Sequence, residues 1–107
     1  MNEERDFLDE MIDRFSVEDP DLPAVVDALA GARAMVRELE ERRERAGLTQ
    51  EEVARRVGTT QSAIARLERS DVDPRLSTVV KYAAIVGCVV ELRPVPPRAR
   101  SQAATAE

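Results

Sequence analysis

Residues 50–68 read Gln50-Glu51-Glu52-Val53-Ala54-Arg55-Arg56-Val57-Gly58-Thr59-Thr60-Gln61-Ser62-Ala63-Ile64-Ala65-Arg66-Leu67-Glu68. Two short helical patterns flank Gly58. Thr49 stands where a helix cap belongs, with Glu52 three residues on as the other half of a capping box. The first pattern, Gln50–Val57, has Val53, Ala54 and Val57 on one face. Gly58 permits the left-handed backbone of a tight turn. Thr60 then caps a second pattern, Gln61–Arg69, with Ala63, Ile64 and Leu67 inward. Ala54 is small enough for the second helix to cross close above it. The apolar residues lock the pair at a fixed angle, and Gln61, Ser62, Ala65 and Arg66 are left facing outward.

Upstream, Val25, Leu29, Ala32, Val36 and Leu39 alternate steps of four and three, so Ala24–Ala46 is a continuous amphipathic helix. Pro23 suits its first position and Gly47 its end, while Gly31 is a tolerated weak point. Before it, Ser16–Pro23 holds two prolines and is a linker. The pattern Glu3–Phe15 collects Phe7, Leu8, Met11, Ile12 and Phe15 on one helical face. Downstream, Ser70–Pro74 is a polar loop. A further helix is predicted from about Leu76 to Val86, burying Leu76, Val79, Val80, Ala83 and Val86, with Gly87 at its end.

After Gly87 the period changes. Cys88-Val89-Val90-Glu91-Leu92-Arg93 is β-branched and partly alternating, which predicts a short strand ended by Pro94, Pro96 and Pro97. One strand alone leaves its backbone groups unpaired. Val89, Val90, Glu91, Leu92 and Arg93 are therefore expected to pair with the same strand of a second copy across a two-fold axis. The organisation expected is an acidic helical arm and linker over 1–21, a helical domain over 22–87, a dimerisation strand over 88–97 and a disordered tail over 98–107.

Composition limits the chemistry. The chain has 107 residues, 43% of them hydrophobic but only 3% aromatic, so its core is aliphatic. It holds no histidine and a single cysteine, Cys88. Histidine-assisted nucleophiles and disulfide frameworks are thereby excluded, and no metal-ligand spacing is visible. No leader-like segment opens the chain and no apolar run approaches the ~20 residues of a membrane span. These features predict a small cytoplasmic protein without catalytic activity, cofactor or metal. The net charge of −5 is unevenly spread: residues 1–41 carry four arginines against thirteen carboxylates, and residues 42–107 carry twelve cations against eight. An acidic front thus precedes a mildly basic body. Fifteen of the sixteen cations are arginine, which can grip phosphate or guanine bidentately.

Two short helices joined at a glycine turn are the centre of a helix-turn-helix. "RRERAGLTQEEVARRVGTTQSAIARLE" and "PRLSTVVKYAAIVG" closely resemble the Cro/repressor helix-turn-helix family, called the XRE family in bacteria, over about residues 36–87. The resemblance implies a mainly α, repressor-like five-helix domain, here with an N-terminal helical extension and the C-terminal strand. It implies a transcriptional repressor acting as a homodimer on an inverted-repeat operator, with Gln61–Arg69 entering the major groove. Gln50 matches the residue that touches phosphate and braces the recognition helix. Gln61 matches the glutamine that reads adenine, and Ser62 and Arg66 match further base-reading positions. Thr59 and Thr60 sit where phosphate meets the helix N-terminus, Arg75 near the sugar-phosphate backbone, and Ala65 and Arg69 complete the expected contact set. Arg43 and Glu68 match a structural salt bridge.

The family usually has a glycine after Leu67-Glu68; here Asp71 and Asp73 enter a loop that commonly faces phosphate. The strand "GCVVELRPV" resembles the dimerising strand of HigA-type antitoxins, which implies an autoregulating antitoxin. The acidic front reads either as a partner-binding helix whose Phe7, Met11 and Phe15 contact a small basic toxin, or as a solvated helix packed on the domain or a disordered arm. The competing expectation is a protein-interaction module of the same fold without DNA binding, favoured by the −5 charge and the acidic loop.

Overall fold

A computed structural model describes residues 6–96. The expected tail at 98–107 and the start of the N-terminal helix at residues 3–5 lie outside them. Five α-helices follow in order: α1 (Phe7–Ile12), α2 (Leu22–Arg45), α3 (Gln50–Val57), α4 (Gln61–Glu68) and α5 (Leu76–Ile85). The number five includes the N-terminal arm, so four helices lie within residues 22–87.

The boundaries follow local chemistry. Thr49 accepts from the Glu52 N–H at 3.0 Å while the Glu52 carboxylate accepts from the Thr49 N–H at 2.8 Å, a reciprocal box that starts α3. Gly58 ends α3 with φ of 91°, a conformation costly for a residue with a Cβ. The Thr60 hydroxyl accepts from the Ala63 N–H at 3.1 Å and starts α4. At α1, Asp6 and Asp9 form a second capping box, which fixes the helix start at Phe7. Only six residues are helical there; the chain turns at Asp13, so Phe15 lies beyond the helix rather than on its expected face.

The core is aliphatic except at its centre. Val53 and Ile64 are fully buried, Ala54, Leu67 and Ala83 nearly so, and Val36, Leu39, Val57 and Val79 complete it. Tyr82, the chain's one tyrosine, is also fully buried among them. Its position rotates the buried stripe of α5 relative to the sequence expectation. Val79, Tyr82 and Ala83 face inward, and at 3.6 residues per turn Val80 lies about 110° around the helix from that stripe's centre. Val80 is 45% exposed and Leu76, on the first turn, 72% exposed, so neither is a core residue.

The expected strand is absent from the described residues. Residues 88–96 leave α5 without regular secondary structure, because no neighbouring strand offers them hydrogen bonds within the chain. Val89 and Leu92 are 79% and 99% exposed.

The N-terminal arm packs on its own domain. Leu8 is 2% exposed. Arg33 of α2 reaches back with Nε 3.1 Å from Asp6 Oδ2, and Nη2 2.6 Å from Asp9 Oδ1. The Phe7 N–H donates to the Ser70 carbonyl at 3.2 Å, tying α1 to the loop after α4. Ser70 itself is buried with φ of 59°. Phe7, Met11 and Phe15 are each half-buried.

Candidate nucleic-acid interface

The outer face of α4 is polar. Thr60, Gln61, Ser62 and Arg66 are exposed along it, with Thr59, Ala63 and Ala65 half-buried. Leu67 and Ile64 hold the opposite face in the core. The Thr60 hydroxyl takes the Ala63 N–H, and the Gln61 and Ser62 N–H groups at this helix start favour an anion.

Behind that surface lies a largely buried polar cluster. The Glu68 carboxylate, its side chain 3% exposed, meets Arg43 Nε at 2.8 Å through Oε2. Arg43 Nη2 donates to Glu68 Oε1 at 3.0 Å, and Nη1 donates to the Leu48 carbonyl at 2.9 Å. The Tyr82 hydroxyl donates to Glu68 Oε2 from the centre of the core. Gln50 Nε2 donates to Glu68 Oε1 at 2.9 Å, and Gln61 Nε2 donates to Gln50 Oε1 at 2.7 Å. Tyr82, Arg43, Glu68, Gln50 and Gln61 are thus one hydrogen-bonded chain from the core to the tip of α4.

The cluster shifts the acidity of its members. Burial alone pushes the Glu68 carboxyl up, but hydrogen bonds from Arg43, Tyr82 and Gln50 outweigh it and leave it below the ordinary glutamate value. Burial and the adjacent carboxylate push the Tyr82 hydroxyl far above the usual tyrosine range. The hydrogen bond to Glu68 holds the Arg43 guanidinium charged. At the arm, the Arg33 guanidinium bonded to Asp6 holds that carboxyl below its ordinary value.

Beside α4 a cleft of about 450 Å³ opens toward α5, its polar lining Thr59, Arg66, Arg75, Ser77, Thr78 and Lys81. Three cations line it and no carboxylate does. Arg66 and Arg75 belong to the expected contact set; Ser77, Thr78 and Lys81 do not. Their position one and two turns into α5 on the side of Arg75 was the available signal, obscured because α5 reads as a core helix. Arg69 is placed differently. It is the C-cap of α4, and its Nε lies 2.9 Å from Asp71 Oδ2, so the acidic loop already partners it.

No cluster of three metal-ligating side chains occurs among the described residues, and no helix there is long and apolar enough to cross a membrane. Residues 39–89 match the sequence model of a helix-turn-helix family. This part of the chain is a helix-turn-helix domain. The match runs from Leu39 through α3, α4 and α5 to Val89, and so contains the whole Arg43–Glu68–Gln50–Gln61 chain. The family is one of DNA-binding transcriptional regulators rather than enzymes. No curated protein and no solved structure matches the chain.

Proposed function

We propose that this helix-turn-helix protein is a sequence-specific transcriptional repressor that binds an inverted-repeat operator as a homodimer. The observation that carries the reading is the state of Gln61. Glu68 can only accept hydrogen bonds, so Gln50 must turn its NH₂ toward it and its Oε1 toward Gln61. Gln61 must then answer with one N–H. Its second N–H and its Oε1 are left side by side, the pair that adenine N7 and N6 require in the major groove. Ser62 and Arg66 project from the same helix, Arg66 with the fork that suits guanine. Thr59, Thr60, Arg75 and the cationic cleft supply the phosphate contacts that set register. Arg43 and Glu68 are structural, since neither reaches the surface that faces the groove.

Two recognition helices related by a two-fold would enter successive major grooves about 34 Å apart. The docked α1 and the exposed segment 88–96 divide the flanks: the first belongs to its own domain, the second is the surface for dimerisation. Fluorescence anisotropy against the duplex upstream of the chain's own reading frame, in a salt series, tests the proposal. Wild type is expected to prefer that site by about 10³-fold or more over random duplex. The Gln61→Ala/Arg66→Ala double variant is expected to keep only weak, salt-sensitive binding. Equal weak binding by both proteins would leave the domain as a protein-interaction scaffold instead.

A further inference from the structure

Away from α4, two apolar surfaces lie next to each other without cover. The first half of α2, Leu22–Ala32, has Asp27 as its single charged residue. Ala24, Val26, Ala28, Ala30 and Gly31 are all exposed on it, which is unusual for a helix apolar on every side. The second surface is the segment after α5, where Val89, Leu92 and Val95 are 79%, 99% and 52% exposed. Between them runs a groove of about 970 Å³, lined on the α2 side by Ala28, Gly31 and Met35 with Glu38 and Arg42 beyond them, and on the other by residues 88–91 and 93–96, with Leu92 turned out of it. A methyl built on Gly31 would touch nothing within 4 Å, so the floor is open at its centre.

We propose that the occupant is a second copy of this chain, whose own residues 88–96 pair antiparallel with these, centred on Leu92 against Leu92. The inference rests on the dimeric reading above and adds the register and the docking face. The argument is chemical. In an antiparallel pair, alternate residues turn their N–H groups toward the partner and the others turn them away. Pro94 and Pro96 have no N–H to give, so both must occupy outward positions, and their even spacing allows it. The donors to the partner are then Val89, Glu91, Arg93 and Val95, none of them proline. Pro97 falls where the next donor is needed and ends the ladder.

A two-fold perpendicular to the pair must pass through one residue and its copy. Centred on Glu91, it sets Glu91 against Glu91; centred on Arg93, arginine against arginine; like charges directly opposite are unfavourable. Centred on Leu92, it sets Glu91 of each copy opposite Arg93 of the other, twice. Leu92 then meets its copy at a non-hydrogen-bonded pair, where side chains approach most closely. That contact covers the most exposed large apolar side chain of the described residues. The ribbon lies along the groove and covers the small-residue floor of α2.

Sedimentation equilibrium on the full chain tests the register. Glu91→Arg and Arg93→Glu, made singly, each face two like-charge pairs and are expected to weaken dimerisation about tenfold or more. The double reversal restores opposite charges and is expected to return to within about threefold of wild type. With Cys88→Ser as background, Leu92→Cys is expected to form a disulfide-linked dimer on mild oxidation, its Cα atoms falling within the ~4.4–6.8 Å a disulfide spans. Val90→Cys is expected not to. A dimer indifferent to the charge reversals, or cross-linked through Val90→Cys instead, overturns this register and leaves dimerisation standing. A wild-type chain that stays monomeric at about 100 μM, a concentration at which even a weak specific dimer forms, overturns both.

Discussion

Gln61 donates from Nε2 to Oε1 of Gln50 at 2.7 Å, and that single bond determines which half of its amide faces outward. The direction is inherited: Glu68 accepts from Gln50 at 2.9 Å, and Arg43 and the Tyr82 hydroxyl hold Glu68. The orientation of a surface side chain is therefore set by a buried carboxylate.

Gln50→Ala should consequently relax base discrimination without unfolding the domain, because Glu68 keeps Arg43 and Tyr82. Gln61→Ala should cost about 1–3 kcal/mol of discrimination at one A·T pair. If Gln50 acts there by positioning Gln61, the double variant should discriminate no worse than Gln61→Ala alone, a coupling that a double-mutant cycle measures. Because the readout is a ratio between two duplexes, any interaction of Gln50 with phosphate cancels from it. Additive losses would mean that the two residues read DNA independently.

The Arg43–Glu68 pair should be worth more to the fold than to DNA. Their side chains are 10% and 3% exposed, so removing one partner strands a buried charge. Arg43→Ala is expected to cost about 3–5 kcal/mol of stability and lower the thermal midpoint by more than about 10 °C. Tyr82→Phe removes the hydroxyl and keeps the ring in the core, for a smaller loss of about 1.5–3 kcal/mol, the range for a hydrogen bond to a charged group. Calorimetry on both variants should give that order. A Tyr82→Phe loss equal to that of Arg43→Ala would contradict it.

The α3–turn–α4 unit is legible in the sequence because its signals are local. Thr49 with Glu52, Gly58 and Thr60 each act within four residues of themselves, and α3 begins and ends where they place it. What the sequence conceals depends on distance along the chain. Arg33 finds Asp6 across 27 positions, and no spacing rule relates a helix cation to a cap that far upstream. Tyr82 reaches Glu68 across 14. A polar tyrosine at the core's centre is favourable only once Glu68 is there to accept its hydrogen bond, so the apolar pattern alone assigns Leu76 and Val80 to the core in its place. Residues 88–93 carry the pattern of a strand, but a strand needs a partner for its backbone groups. The single chain offers none, so the segment has no regular structure in it.

Acid should weaken the fold through two carboxylates whose acidity is known in direction. Glu68 and Asp6 both lie below their ordinary values of 4.5 and 3.8 in the folded protein. Each is more readily protonated in the unfolded chain, so each contributes stability above its ordinary value and loses it as pH falls through the lowered one. Thermal unfolding followed from neutral pH downward should show a midpoint that begins to drop near the ordinary glutamate value of 4.5. Asp6→Asn should be less stable than wild type at neutral pH, and the gap should close at the acid end. A gap that persists there would show that the Arg33 fork stabilises α1 through geometry rather than charge.

The cationic cleft makes a prediction that separates phosphate contacts from base contacts. Arg75 and Lys81 line it and no carboxylate does, so each should release about one counterion when the operator binds. Arg75→Ala and Lys81→Ala should each reduce the slope of log affinity against log salt by about 0.9 and leave sequence preference unchanged. Arg69 should behave otherwise. Its guanidinium is already paired with Asp71 at 2.9 Å, so Arg69→Ala should leave the slope nearly unaltered, while Asp71→Ala frees the cation and should steepen it. Anisotropy titrations across a salt series distinguish these slopes. If Arg69→Ala flattens the slope as much as Lys81→Ala does, the loop after α4 opens on DNA and exchanges its internal carboxylate for a phosphate.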